Sequence, residues 1–189
     1  MQCLTSDDPD FESKAADIIG LYLHPAQHAA VFCVDEKSVF RHRALSLYEA
    51  FNIRADDGLG KTAAGHTTAE FVAFLIKIVV NQPRGKEIHV VADNLSAHKT
   101  LQVKEFLTAH ANVHLHFTST YSSWLNQVGL WFSKIERDLI ARDVFTSVSD
   151  LKTKLIRHIR RHNKSPIVVK WQYVDSTRRM TTDSGTTVH

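Results

Sequence analysis

The sequence predicts an α/β fold, a mixed five-stranded sheet flanked by helices. Three observations predict it. Two apolar runs read as buried strands and each meets a carboxylate: residues 28–38 are HAAVFCVDEKS and residues 87–94 are EIHVVADN, with the acids at Asp35 and Asp93. The elements fall in the order three strands, helix, strand, helix, strand, helix, so the second half implies parallel pairing behind an antiparallel hairpin. Finally, 189 residues with 43% hydrophobic and 23% charged content are enough for one domain with a real core.

Each element has its own signal. Phe11, Ala15, Ile18, Ile19 and Tyr22 fall at helical spacing within 7–22, a short lead-in helix that Pro25 separates from the first strand. Residues 28–34 are small or β-branched and run into Asp35. ALSLYEAFNI (44–53) and LGKTAAGH (59–66), divided by Asp56-Asp57-Gly58, read as a hairpin beside that strand. Thr67 and Glu70 have capping-box spacing ahead of the stripe Phe71, Phe74, Leu75, Ile78 and Val79, and Pro83 and Gly85 stop the helix. Strand 87–92 precedes a helix over 98–110, and VHLHFTS (113–119) is the last strand. A long helix is expected from Ser123, its N-cap, through Leu125, Val128, Phe132, Ile135 and Leu139. A final helix, 149–162, is apolar at Leu151, Leu155 and Ile159 and basic elsewhere. The division expected is a lead-in at 1–27, the main domain at 28–164, and a basic segment with a disordered tail at 165–189.

The net charge of +3 is modest, but its distribution is not. From Ser149 to Arg179 nine Lys or Arg stand against Asp150 and Asp175, and Trp171 and Tyr173 are interleaved with them. Lys152, Lys154, Arg157, Arg160, Arg161 and Lys164 thus form a cationic face suited to a phosphate backbone, or simply a solvated one. Cys3 and Cys33 read as reduced thiols rather than a disulfide framework. No apolar stretch approaches membrane-spanning length and no signal-peptide pattern opens the chain, so the expectation is a cytoplasmic, nucleoid-associated protein.

In a sheet of this order the strands carrying Asp35 and Asp93 can be neighbours, with both carboxylates at one rim. Paired carboxylates repel unless a cation lies between them, and hard Mg²⁺ or Mn²⁺ is the natural occupant. Each acid could instead close a turn, as Asp93-Asn94 would; their matched placement favours metal. Asn94 and His98 then lie just behind the ligands. Zinc is disfavoured: His114/His116 and His158/His162 are pairs without an obvious third ligand.

DEKS after one strand, ADNLSAHKT after another, and HFTSTYSSWLNQVGLWFSKIERDLI together resemble the DDE transposases of bacterial insertion sequences, in the mariner-related branch. The likeness covers nearly the whole chain. It implies a ribonuclease-H-like fold and DNA strand cleavage and transfer with Mg²⁺ or Mn²⁺, Asp35 and Asp93 matching the first two catalytic acids. Three departures stand out. The third acid of the family falls where this chain has Gly129. Glu136 is seven residues on, about 10.5 Å along a helix, too far to replace it, while Asn126 offers an uncharged carbonyl. A hairpin extension is shortened, leaving Val39 and Phe40 between DEKS and Arg41, and the sequence is expected to start after the helix-turn-helix region that relatives carry upstream. The expectation is a catalytically impaired transposase domain with DNA as partner, alone, as a homo-oligomer or beside an intact transposase. The alternative is a non-catalytic DNA-binding or interaction remnant.

Overall fold

The computed structural model describes residues 8–24, 26, 28–38, 45–119, 122 and 125–166. Five strands, β1 (Ala30–Ser38), β2 (Ser46–Asn52), β3 (Asp57–Ala63), β4 (Ile88–Ala92) and β5 (Val113–Phe117), form one sheet in the order β3-β2-β1-β4-β5. β1 pairs antiparallel with β2 and β2 with β3, whereas β1–β4 and β4–β5 are parallel. This is the mixed five-stranded α/β sheet expected.

Side-chain alternation along the strands divides the core in two. Val31 and Cys33 of β1 face α1 (Phe11–Leu23), α4 (Val128–Ile135) and α5 (Val148–Asn163), meeting Tyr22, Trp131 and Leu155 there. Phe32 and Val34 face the other way, onto α2 (Thr68–Val80) and α3 (Leu101–Ala109), among Phe71, Phe74 and Phe106. The lead-in helix is therefore part of the packing: Ala15, Ile18 and Tyr22 are buried, and the Tyr22 hydroxyl donates to the Leu125 carbonyl at 2.6 Å.

Local signals act as read for α2 and α5. Thr67 and Glu70 close a reciprocal capping box, and the Ser147 hydroxyl caps α5 by accepting from the Asp150 amide. Leu151, Leu155 and Ile159 are buried, leaving the basic residues outside.

Four boundaries differ from the sequence reading. β1 does not end at Asp35 but runs to Ser38, because β2 pairs with it as far as Ser46↔Ser38; only its pairing with β4 stops, at Cys33↔Val91. The hairpin turn lies at 53–56, so Asp57 and Gly58 belong to β3; Asp56 carries a φ of 52°, and the Asn52 side chain accepts from the Arg54 and Ala55 amides. The helix expected over 98–110 breaks at extended Thr100 into a 3₁₀ turn, Ser96–Lys99, and α3. The long helix starts at Val128 and widens into a π turn at Glu136–Ile140, where Leu139 is half-buried against the core. Ser123, the shortened link at 39–44, Trp171, Tyr173 and the tail lie outside the described residues. Among the described residues no helix is long and apolar enough to cross a membrane.

Candidate functional site

The parallel pairing of β1 with β4 fixes the two acids relative to each other. Cys33 is level with Val91, and Asp35 and Asp93 each follow two residues later, beyond the end of that pairing, close enough for their charges to interact. Burial pushes the Asp35 carboxyl up to about 6; the Glu36 amide, which donates to it at 2.8 Å, opposes this, and the negative charges of Asp93 and Glu36 reinforce it.

α4 is laid along this part of β1. The Asn126 amide donates to the Val34 carbonyl at 2.9 Å, and ten residues later Glu136 pairs with Lys37 at 3.1 Å. Glu136 is thus engaged with a lysine, as well as being distant along the helix. Gly129, seven residues before Glu136, occupies the same helix stripe, and a Cβ built there meets nothing within 4 Å. Asn126 Oδ1 and Asn94 Oδ1 are buried with no hydrogen-bond partner. Two carboxylates with orphaned amide oxygens nearby suit a hard, oxygen-ligated cation. Among the described residues no group of three or more His, Cys, Asp or Glu side chains is placed to hold a metal ion.

The family model for the DDE superfamily endonucleases matches residues 27–152, well over half of the chain. The chain belongs to the DDE superfamily of endonucleases. A search of curated proteins finds no match. Among solved structures, the catalytic domain of the Mos1 mariner transposase superimposes with a TM-score of 0.64 at 16% identity, covering 79% of this chain and 78% of that one. The same catalytic domain with raltegravir and manganese gives 0.64 at 17% identity, covering 79% of each chain. The catalytic core domain of BIV integrase gives 0.50 at 12% identity, covering 67% of this chain and 80% of that one. At these identities the likeness establishes the fold, the ribonuclease-H-like sheet that the sequence implied.

Behind the acids of this DDE domain stands His98. It is 1% exposed and its ring stacks on Phe71, centroids 3.9 Å apart. Nδ1 hydrogen-bonds the Asp93 carbonyl at 3.3 Å and lies 2.9 Å from Asp93 Oδ1; Nε2 lies 3.5 Å from Glu36 Oε2. Burial disfavours the charged ring, but the two carboxylates outweigh it and raise its pKa to about 9. The sequence placed His98 beside Asp93. It gave no sign that Glu36, which alternation sends to the opposite face of β1, also meets this ring.

The cationic face of the DDE domain is less uniform than its sequence. Lys152, Arg157, Arg160, Arg161 and Lys164 line an open groove along α5. Lys154 instead pairs with Asp143 and Asp150 at 3.0 and 3.2 Å and lies over the Phe145 ring. The histidine pairs acquire neighbours. His116 reaches His89 at 3.0 Å and Asp17 at 2.6 Å, His114 reaches Glu87 at 2.7 Å, and His162 meets the Trp131 ring at a tilt and bonds the Asp56 carbonyl at 3.0 Å.

Sequence reasoning missed Glu49 entirely. It lies opposite Asp35 in the β1–β2 register, fully buried, and neither carboxylate oxygen has a hydrogen-bond partner. Burial raises its pKa to about 8, with the Trp131 indole and Lys77 pulling weakly the other way.

Proposed function

We propose that this chain is the catalytic domain of an insertion-sequence DNA transposase whose metal-binding rim is one acid short, and that its strand-cleavage activity is correspondingly low. The observation that carries this is that Asp35 and Asp93 each lie two residues beyond the last parallel pair of β1 and β4, with Asn126 tied to Val34 and Gly129 in the first turn of α4. Asp35, Asp93 and the Asn126 carbonyl are the residues that would hold Mg²⁺ or Mn²⁺. Bound there, such ions supply the Lewis acidity that phosphodiester cleavage and strand transfer require. The chain's own work is to hold two carboxylates near each other, to keep Asp93 fixed through His98, and to offer the α5 cations to the DNA backbone.

DNA is the partner this reading assigns, with the nucleoid as its place of action. A second copy or an intact transposase is the further partner this reading assigns. The division at 27 and 164 stands as the proposed extent of the catalytic unit.

Mn²⁺-dependent nicking of supercoiled plasmid tests the reading with three proteins: this chain, Gly129→Glu, and Gly129→Glu with Asp35→Ala. Nicking by Gly129→Glu alone is the expected result, because open space at position 129 admits the longer side chain. Equal nicking by the unmodified chain would refute the claim of impairment. Nicking by none of the three, with salt-sensitive DNA binding retained, favours the second reading, a non-catalytic DNA-binding remnant, to which the open α5 groove is equally suited.

A further inference from the structure

We propose that Glu36 is a positioning residue that sets the Asp93 carboxylate through His98, so that both acids of the rim are held by β1, one from each face of the sheet. This rests on the reading of Asp35 and Asp93 as a metal-binding rim.

Five contacts carry it. The Glu36 side chain is 4% exposed, and its two oxygens lie 3.5 Å from His98 Nε2 and 3.8 Å from His66 Nδ1. Glu36 Oε2 has no hydrogen bond, so its burial is compensated by these rings. His66 is itself anchored, 3.0 Å from the hydroxyls of Ser38 and of Ser46. At the far end His98 Nδ1 lies 2.9 Å from Asp93 Oδ1.

The ring between the two acids has little freedom. Phe71 stacks on it with 28° between the planes, and the Thr68 hydroxyl at the start of α2 donates to the Ala97 carbonyl in the same 3₁₀ turn. A rigid imidazole with a carboxylate at each nitrogen behaves as a strut of fixed length. Successive residues of a strand point to opposite faces. Asp35 is therefore placed directly by β1, and Asp93 is placed through the next residue, Glu36, and the ring. Groups that orient a metal ligand from behind are worth about 10- to 100-fold in metal affinity. A purely structural Glu36 would stabilise the packing of α2 without affecting the rim.

Mn²⁺ titration of the full chain, followed by EPR, separates these roles. The proteins are the unmodified chain, Glu36→Gln, His98→Gln, the double variant and Asp35→Ala, with thermal melts in the absence of Mn²⁺ to monitor folding. Expected are about a tenfold weaker affinity and an altered bound-ion line shape for Glu36→Gln, and no further loss when Glu36→Gln is added to His98→Gln. Unchanged affinity and line shape in Glu36→Gln, with binding abolished by Asp35→Ala, would overturn the proposal and leave the rim reading standing. An equal loss in both backgrounds overturns it too, because Glu36 would not then act through His98. If Asp35→Ala leaves Mn²⁺ binding intact, the rim reading fails and the proposal fails with it. Should Glu36→Gln melt below the assay temperature, Phe71→Leu loosens the ring without altering either acid. Weaker Mn²⁺ binding there supports the strut, and unchanged binding overturns it.

Discussion

Replacing Glu49 with glutamine should stabilise the protein, and by an amount that grows with pH. All seven residues of β2 are buried, and Glu49 faces Asp35 on one side and Gly60 on the other. Gly60 provides its room: a Cβ there would lie 3.0 Å from Glu49 Oε1 and 2.5 Å from Ile159 Cδ1. The carboxyl is thus closed beneath α5, and the Trp131 indole beside it does not complete a well-aligned hydrogen bond. In the folded chain it keeps its proton up to about pH 8, whereas an exposed glutamate loses it near 4.5. Between those values the folded state holds one proton more than the unfolded state, so stability falls as pH rises. The effect is fully present below 4.5 and lost above 8. At 1.36 kcal/mol per unit, that interval corresponds to about 5 kcal/mol, a large part of the roughly 5–15 kcal/mol that holds a domain together. Urea unfolding at pH 4.5, 6, 7.5 and 9, followed by far-UV circular dichroism, measures it. Glu49→Gln should match the unmodified chain to within about 1 kcal/mol at the acid end and exceed it by several kcal/mol at pH 9. A difference independent of pH would refute the reasoning, since Glu49 would then be ionised when folded.

Two further outcomes follow from the packing. Tyr22→Phe removes the 2.6 Å hydrogen bond to the Leu125 carbonyl and the 3.0 Å contact with Cys33 Sγ, leaving a buried acceptor unpaired just before α4; a cost of about 1–3 kcal/mol is expected in urea unfolding at pH 7. On the cationic face, Arg157→Ala and Arg160→Ala should each lower non-specific DNA affinity and reduce the log–log salt slope by about 1. Lys154→Ala should change the slope far less, because that ammonium is already paired with Asp143 and Asp150. Fluorescence anisotropy at a series of salt concentrations distinguishes the three.

What the sequence made legible, and what it did not, divides along the range of the interactions involved. The strands and their order follow from local patterns that tertiary contacts left alone: runs of small and β-branched residues, a capping box at Thr67 and Glu70, an apolar stripe on α5. Asp35 and Asp93 could be paired because a parallel crossover brings the ends of two such strands together, which is a matter of topology rather than of side-chain detail. The boundaries that shifted did so for non-local reasons. β1 outruns Asp35 because its antiparallel partner continues beyond its parallel one, and α4 starts late, with Leu125 and Asn126 bound to Tyr22 and Val34. Glu36 and Glu49 were illegible for a more instructive reason. Each is a glutamate in a strand, a pattern that usually marks the solvated face, and nothing local separates such a residue from a buried one. Their burial is decided by what lies opposite: a histidine from a distant turn for Glu36, a glycine on the neighbouring strand for Glu49. The two cases then part. Glu36 has imidazoles within 4 Å at each oxygen, an arrangement that can be used, whereas Glu49 has no hydrogen bond at all. An ionisable group buried without a partner is a cost a fold can carry only while its proton stays on. The same face of the sheet that lacks an acid at position 129 therefore carries one at position 49 that weakens the fold as pH rises, and the pH series on Glu49→Gln and the plasmid assay on Gly129→Glu measure those two departures separately.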